Sequence, residues 1–376
     1  MSYTGEQGER RTGGMSRRTF LRGAAGAAAG AAVASLGLPH FARAASQDRP
    51  NIILFVADDL GWRDVGCYGD TNYESPHLDR MAAEGVRFTN AFVTASSCSP
   101  SRATIMTGQA PHSVGVLGLT HVHPQYQMSG KIPTTAEALR RKGYATAIAG
   151  KWHVAPYKPV KNYGYEEQLT VGEITETSAI RDFIGRNNNK PFFMELNFYQ
   201  THRPNVTPAY QQHPDYPIDP AAVSVPEYWQ LPDWDAIRVD MAGYYSQAAW
   251  QDALIGEIRD KVEAEGLDRR TLMIFVSDNG PNFPGIKATC YDRGIGTPLI
   301  MRWPEGLPAN VVLDQLISTI DIAPTCLAAA GFSAIPTMQG ASMLPLSRGD
   351  TGGPMHDAVF SEITYHVIHT PMRAIR

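Results

Sequence analysis

Cysteine is scarce, with four in 376 residues: Cys67, Cys98, Cys290 and Cys326. No C-x-x-C pair and no Cys/His group at zinc spacing occurs, which excludes a disulfide framework and a structural zinc module and leaves single cysteines open to chemistry. Charged residues are few as well, at 19%, and basic residues are not in excess: 33 Lys and Arg stand against 37 Asp and Glu. An acidic balance argues against a broad nucleic-acid-binding face, because phosphate affinity needs clustered Lys and Arg. With 43% hydrophobic residues and a mean hydropathy of -0.24, the chain is neither a disordered polyelectrolyte nor a multi-span membrane bundle. No repeat or low-complexity segment occurs beyond the first 44 residues. The length suits two to three domains or one large α/β unit.

The charge is unevenly spread. Residues 1–44 hold Arg10, Arg11, Arg17, Arg18, Arg22 and Arg43 against Glu6 and Glu9, so the remaining chain carries 27 basic and 35 acidic residues, a net charge near -8. Ser16-Arg17-Arg18-Thr19-Phe20-Leu21-Arg22 matches the twin-arginine export pattern. A small-residue apolar run, Gly23 to Leu38, follows, and then Ala42-Arg43-Ala44, an A-x-A cleavage site. Residues 1–44 are thus expected to be a signal peptide recognised by the Tat translocase, with Met15 as an alternative start and the product exported to the periplasm or beyond. A single membrane anchor is the other reading, but the run is short and rich in Ala and Gly.

Downstream, apolar runs alternate with helical patterns, which predicts a mostly parallel central sheet with helices on both faces. Strands are expected at 51–56, 144–149, 192–198, 271–276 and 297–302. Helices are expected at 77–84, at 134–142 with a capping-box start, and at 240–264. The Pro-rich and aromatic stretch from Thr201 to Trp234 reads as an ordered loop forming a cleft wall.

Three strands run into polar residues of one kind. Val56-Ala57 leads to Asp58-Asp59, Val276-Ser277 to Asp278-Asn279-Gly280, and Ala149-Gly150 to Lys151-Trp152-His153. Ligands of open α/β sheets sit beyond the carboxyl ends of the strands, so these groups are expected to converge there. Asp58, Asp59, Asp278 and Asn279 offer hard oxygen ligands suited to calcium or magnesium. Each taken alone is equally a turn residue after a strand.

Ser96-Ser97-Cys98-Ser99-Pro100-Ser101-Arg102, with Thr107-Gly108 downstream, matches C-x-P-S-R. Together with the preceding Asp-Asp and the later Asp-Asn-Gly, it resembles the sulfatase family over nearly all of Asn51 to Arg376. Gly150-Lys151-Trp152-His153-Val154, Asp278-Asn279-Gly280 with Phe283-Pro284, and Pro371-Met372-Arg373 are similar to its sulfamidase branch. The resemblance implies an alkaline-phosphatase-like fold and oxidation of Cys98 to formylglycine by a formylglycine-generating enzyme, the aldehyde hydrate being the nucleophile. It implies metal ligation by Asp58, Asp59, Asp278, Asn279 and the modified Cys98, and it places Arg102, Lys151, His153, His202 and Lys287 around the sulfate. Of these, His202, helped by Lys287, is the candidate acid for the leaving group and His153 the candidate base that expels sulfate. A helix starting near Ser101 would aim its N–H groups at the anion. His121 and His123 resemble a sugar-contacting stretch. Cys67, Cys290 and Cys326 read as packed thiols.

The sequence departs from the family in two places. Asp292-Arg293-Gly294-Ile295-Gly296 stands where many sulfatases have Glu-Gly-Gly-Ile-Arg, and Lys287 stands where the sulfamidase pattern has Arg. Residues 45–355 are expected to form the catalytic domain and 356–376 the start of a C-terminal antiparallel subdomain, the chain being a fragment of a longer protein. The favoured substrate is the N-sulfate of glucosamine in a heparan-type glycan. The rival readings are an O-sulfate ester hydrolase, a phosphonate or phosphate ester hydrolase of the same architecture, and an inactive homologue that binds sulfated glycans.

Overall fold

The computed structural model describes residues 49–122, 126–155, 160–204, 207, 209–350 and 355–376. The expected signal peptide lies outside these residues. Twelve strands are described: β1 (Asn51–Ala57), β2 (Val86–Phe88), β3 (Ala91–Phe92), β4 (Ala145–Gly150), β5 (Glu167–Gln168), β6 (Phe192–Asn197), β7 (Thr271–Ser277), β8 (Leu299–Arg302), β9 (Val311–Leu313), β10 (Ile317–Ser318), β11 (Phe360–Tyr365) and β12 (His369–Ile375). Eight of them form one sheet in the order β5-β4-β6-β1-β7-β8-β2-β9. All its pairings are parallel except those of β8, which runs against both β7 and β2. The predicted mostly parallel sheet is what forms.

Burial on both faces explains why β1 reads as an unbroken apolar run. All seven of its residues are buried. Ile52, Leu54 and Val56 point into one core, with residues of the helices Cys98–Thr107, Thr135–Arg141 and Ile322–Ala329. Ile53, Phe55 and Ala57 point into the other, which holds residues of Pro76–Ala83, Ser178–Arg186 and Asp235–Ala264. Residues 272–276 of β7 alternate between the same two cores, the period-two signature of a central strand.

Several expected boundaries shift for local reasons. The long helix begins at Asp235, five residues early, with an acidic side chain in its first turn where the helix dipole favours one. Strand β8 begins at Leu299 instead of Thr297, since Pro298 has no N–H to give a ladder. Thr297 instead donates from its hydroxyl to the Ser277 carbonyl at 2.8 Å and accepts from the Ser277 N–H at 3.0 Å. Thr134 caps its helix, accepting from the Glu137 N–H at 3.1 Å, but the expected capping box is half made, because the Glu137 carboxylate turns to Arg141.

In the Pro-rich stretch, Trp229 is buried and its ring lies 4.7 Å from Phe283 and 5.8 Å from Tyr244. Part of the stretch packs against the long helix, and part of it walls concave regions as expected: His202 lines one, and Ser224, Pro226 and Tyr228 line another. Residues 356–376 form the β11–β12 hairpin, docked on the main body through Glu362 N–H to Thr94 O (2.7 Å) and Ser361 Oγ to Val93 O (2.6 Å). No helix among the described residues is long and apolar enough to cross a membrane.

Behind that hairpin, buried Asp321 accepts from the Ser318 and Ala341 N–H groups, both at 2.9 Å, and meets His356 Nε2 at 2.8 Å. The Asp321 hydrogen bond raises the His356 pKa above its ordinary value near 6.5. A raised histidine pKa adds stability that is complete below the unfolded value and lost as pH rises through the folded one. The melting temperature of the wild-type chain is therefore expected to fall as pH climbs from about 6.5 upward, and His356→Gln should flatten that slope. Equal slopes in the two proteins would show that the pair contributes nothing.

Candidate active site

Strand adjacency explains why residues far apart in sequence meet. Ala57 ends β1 opposite Ser277 at the end of β7, so Asp58-Asp59 and Asp278-Asn279 leave the sheet side by side. On the other flank Val56 pairs with Asn197, which ends β6, and Asn197 pairs with Gly150, which ends β4. Gly150 has φ +86°, and a Cβ there would lie 1.9 Å from the Asn197 carbonyl, so only glycine lets β4 deliver Lys151 at this spacing.

Three buried carboxylates and three buried cations interlock here. Lys151 Nζ lies 2.5 Å from Asp58 Oδ2, Lys287 Nζ 2.6 Å from Asp59 Oδ1, and Arg102 Nε 2.8 Å from Asp278 Oδ2. Arg102 also donates to Asn197 Oδ1 at 2.7 Å, and Asn197 Nδ2 in turn donates to Glu195 at 3.1 Å. Burial alone would raise the Asp58 pKa, but Lys151, His202, Arg102 and Lys287 outweigh it and hold the carboxyl well below the usual range. Asp278 is pushed up to about 7 by burial and by Asp58 and Asp59, against the pull of Arg102 and Lys151. Lys151 and Lys287 both rise despite burial, through the facing carboxylates. Lys287 is therefore no surface lysine.

Cys98 opens the helix Cys98–Thr107, every residue of which is buried. The expected helix start near Ser101 is corrected: the helix begins three residues earlier, so Cys98 itself sits at the N-terminus. Ser97, at the cap position, does not cap the helix; its hydroxyl pairs with His366 Nδ1 at 3.0 Å. The unpaired N–H end is left available to an anion. Burial pushes the Cys98 thiol up to about 12, so the unmodified residue is a poor nucleophile at neutral pH. Cys326 is buried, as expected, whereas Cys67 and Cys290 are only partly so.

A cavity of about 490 Å³ opens over Cys98 and is lined among others by His121, Lys151, His153, His202, Lys287 and His366. Arg102 stands behind the carboxylates and does not line it, unlike its expected place beside the sulfate. His153 Nε2 lies 2.6 Å from His121 Nδ1, while its own Nδ1 is buried and unpartnered. Burial lowers both His153, strongly, and His202. His123 lies outside the described residues. Non-glycine residues with positive φ gather here: Asp59 (64°), His153 (52°) and Ala288 (61°) are three of five among the described residues. Such conformations cost roughly 1–3 kcal/mol each and persist where the surroundings over-determine them.

Two residues escaped the sequence reading. Asn197 could have been found, as a polar strand end like the others. His366 follows β11, and no spacing signal links it to Cys98.

The donors fit a hard divalent cation. Oxygens of Asp58, Asp59 and Asp278 lie within 4.8 Å of one another. Asp58 Oδ1 and Asn279 Oδ1 are buried without a hydrogen-bond partner, and Asn279 Nδ2 is turned away to Asp59 Oδ1 at 2.6 Å. Among the described residues, Cys98 also lies near this set, its Sγ 4.0 Å from Asp59 Oδ1.

The sulfatase family model matches residues 50–332. The chain belongs to the sulfatase family. It is 29% identical over 342 residues to an ulvan-active sulfatase of Formosa agariphila, with 79% of this chain and 54% of that protein covered. To the N-sulphoglucosamine sulphohydrolase of Homo sapiens it is 30% identical over 364 residues, with 87% and 71% covered. The chain thus spans between about half and seven tenths of these relatives' lengths. Among solved structures it is similar to the PsFucS1 sulfatase from Pseudoalteromonas sp., with TM-score 0.65, 22% identity, and 85% and 76% of the two chains covered. It is similar also to BT4656 in complex with its substrate D-glucosamine-2-N,6-O-disulfate, with TM-score 0.69, 21% identity and 87% of each chain covered. These place the sulfatase in the fold expected from its sequence.

Calcium titration of this sulfatase by calorimetry is expected to show one site that Asp58→Ala abolishes. Asn197→Ala, which releases Arg102 and the buried Glu195 carboxylate but removes no metal ligand, should weaken it by about 10–100-fold, the usual effect of losing a partner behind a metal ligand. Unchanged affinity in both variants would remove the site.

Proposed function

We propose that this chain is the catalytic part of an exported, formylglycine-dependent sulfatase that removes the N-sulfate of glucosamine from heparan-type glycans. The observation that carries the reading is the position of Cys98: at an uncapped helix N-terminus, below a cavity lined by Lys151 and Lys287 and beside the Asp58, Asp59, Asp278 cluster.

Oxidised to formylglycine, Cys98 would supply the hydroxyl nucleophile. A calcium or magnesium ion held by Asp58, Asp59, Asp278, Asn279 and that residue would neutralise the sulfuryl oxygens. Lys151 and Lys287 face the cavity and add positive charge where the transferred group becomes more anionic. Arg102 fixes Asp278 and Asn197, so its part is positioning. His153, neutral at pH 7 because burial lowers its pKa, suits a base that takes a proton from the nucleophile's remaining hydroxyl. His202 suits the acid: burial lowers it, and the negative charge of a bound sulfate favours its protonated form. Export would use the leader at 1–44 and the Tat translocase, and oxidation would need a formylglycine-generating enzyme.

Support for the N-sulfate comes from the Gly150–Val154 and Pro371–Arg373 stretches and from the relative named N-sulphoglucosamine sulphohydrolase. Support against a thiol-dependent phosphohydrolase comes from the raised, buried Cys98 thiol.

The tryptic peptide containing Cys98, taken from protein made in its own host, is expected to weigh about 18 Da less than the thiol form, as an aldehyde nucleophile requires. An unmodified peptide from folded, exported protein would refute the mechanism. On substrate, glucosamine N-sulfate should be hydrolysed at least about tenfold more efficiently than glucosamine 6-O-sulfate, a difference of about 1.4 kcal/mol in transition-state binding. The reverse order would move the chain to the O-sulfate esterases.

A further inference from the structure

A second concave region lies at the same edge of the sheet, on the β8–β2 side. It encloses about 620 Å³ and is lined by Trp62, Arg63, Tyr68, Asp70, Asn72, Arg87, Asn90 and Tyr228 among others, sharing no residue with the cavity over Cys98. Its two cations are stacked on rings. The Arg63 guanidinium lies 4.3 Å from the Trp62 centroid and 5.3 Å from that of Tyr228, and Arg87 lies 5.1 Å from Tyr68. Neither arginine has an ion-pair partner among the described residues, in contrast to Arg80, Arg186, Arg238 and Arg302.

The rings are held from behind. Tyr68 donates its hydroxyl to the Leu299 carbonyl at 2.8 Å and accepts from the Leu299 N–H at 2.9 Å. Tyr228 donates to the buried Asp64 carboxylate, which also accepts from Tyr244 at 2.8 Å. Trp62 lies against Gly296, where a Cβ would approach its ring to 2.9 Å. The one carboxylate lining the groove, Asp70, is turned to Asn72 and accepts from its N–H at 2.6 Å.

Flat guanidinium groups fixed on aromatic faces keep their N–H edges free for a sulfate or carboxylate, which they can grip with two parallel bonds. Fixed aromatic faces with amides and hydroxyls around them suit a sugar ring. The groove holds no nucleophile paired with a base and no cluster of metal ligands among the described residues. We propose that it is a non-catalytic exosite for a sulfated sugar of a glycan chain, gripped by Arg63 and Arg87 over Trp62, Tyr68 and Tyr228. The loop after β1 supplies both places: Asp59 belongs to the active site and Arg63, four residues on, to the groove, at most about 14 Å away along the chain. One oligosaccharide can therefore bear on both.

The test uses the full chain in a Cys98→Ala background, so that binding is read without turnover. Calorimetry with a heparin-derived hexasaccharide is expected to show a salt-dependent affinity that Arg63→Ala/Arg87→Ala weakens at least about tenfold. Trp62→Ala should weaken it less, and Arg87→Lys, which keeps the charge but loses the planar fork, should not restore it. With Cys98 intact, the double variant should hydrolyse p-nitrophenyl sulfate at the wild-type rate and melt at the wild-type temperature. Undiminished hexasaccharide binding by the double variant would overturn the proposal. So would equal binding of the desulfated hexasaccharide, or of a single-stranded oligonucleotide of matched charge. Failure to hydrolyse any sulfate would count against the catalytic reading alone, because the binding arm does not depend on it.

Discussion

Three carboxylates and three cations share one water-poor volume at the ends of β1, β4 and β7, and neither set could stay charged there without the other. Moving a charge out of water costs several kcal/mol even after the protein relaxes, and removing one member of a buried pair costs about 3–5 kcal/mol because its partner is left uncompensated. Asp58 with Lys151, Asp59 with Lys287 and Asp278 with Arg102 therefore hold each other in place. The chemistry inferred for the site uses the same charges twice: they are the scaffold of the pocket and the field within it. This is why Arg102, which does not line the cavity, still matters to it.

The sheet turns sequence distance into proximity. Four adjacent parallel strands, β4, β6, β1 and β7, end level with one another, so residues from 58 to 279 meet without any long excursion of the chain. Two apolar cores, one on each face, fix the register of those strands, because a slip by one residue would exchange the cores' side chains. Precision at the site is thus inherited from alternating burial in strands that carry no chemistry themselves.

How much of this could be read beforehand depended on whether the signal was local. Asp58-Asp59, Asp278-Asn279 and Lys151 were legible because strand, breaker and polar residue follow one another in sequence, and Cys98 because its motif is contiguous. Asn197 ended a strand that was recognised, yet its role depends on which strands neighbour it, and sheet order is not written in any one segment. His366 meets Ser97 across 269 positions. The helix start at Cys98 was misjudged because Pro100 suits the first turn of a helix as well as a loop before one. The Pro-rich stretch was ordered as its aromatic content implied, but its burial against the long helix is a tertiary choice.

Asp59, His153 and Ala288 hold a left-handed backbone without being glycine, and two of the three carry side chains the site uses. A glycine would relax the main chain at Asp59 or His153 only by deleting a functional group, so at those positions thermostability and turnover are set against each other. At Ala288 there is no such conflict. It is the place next to the catalytic groups where the backbone can be eased, by selection or by an engineer, while the chemistry is left intact.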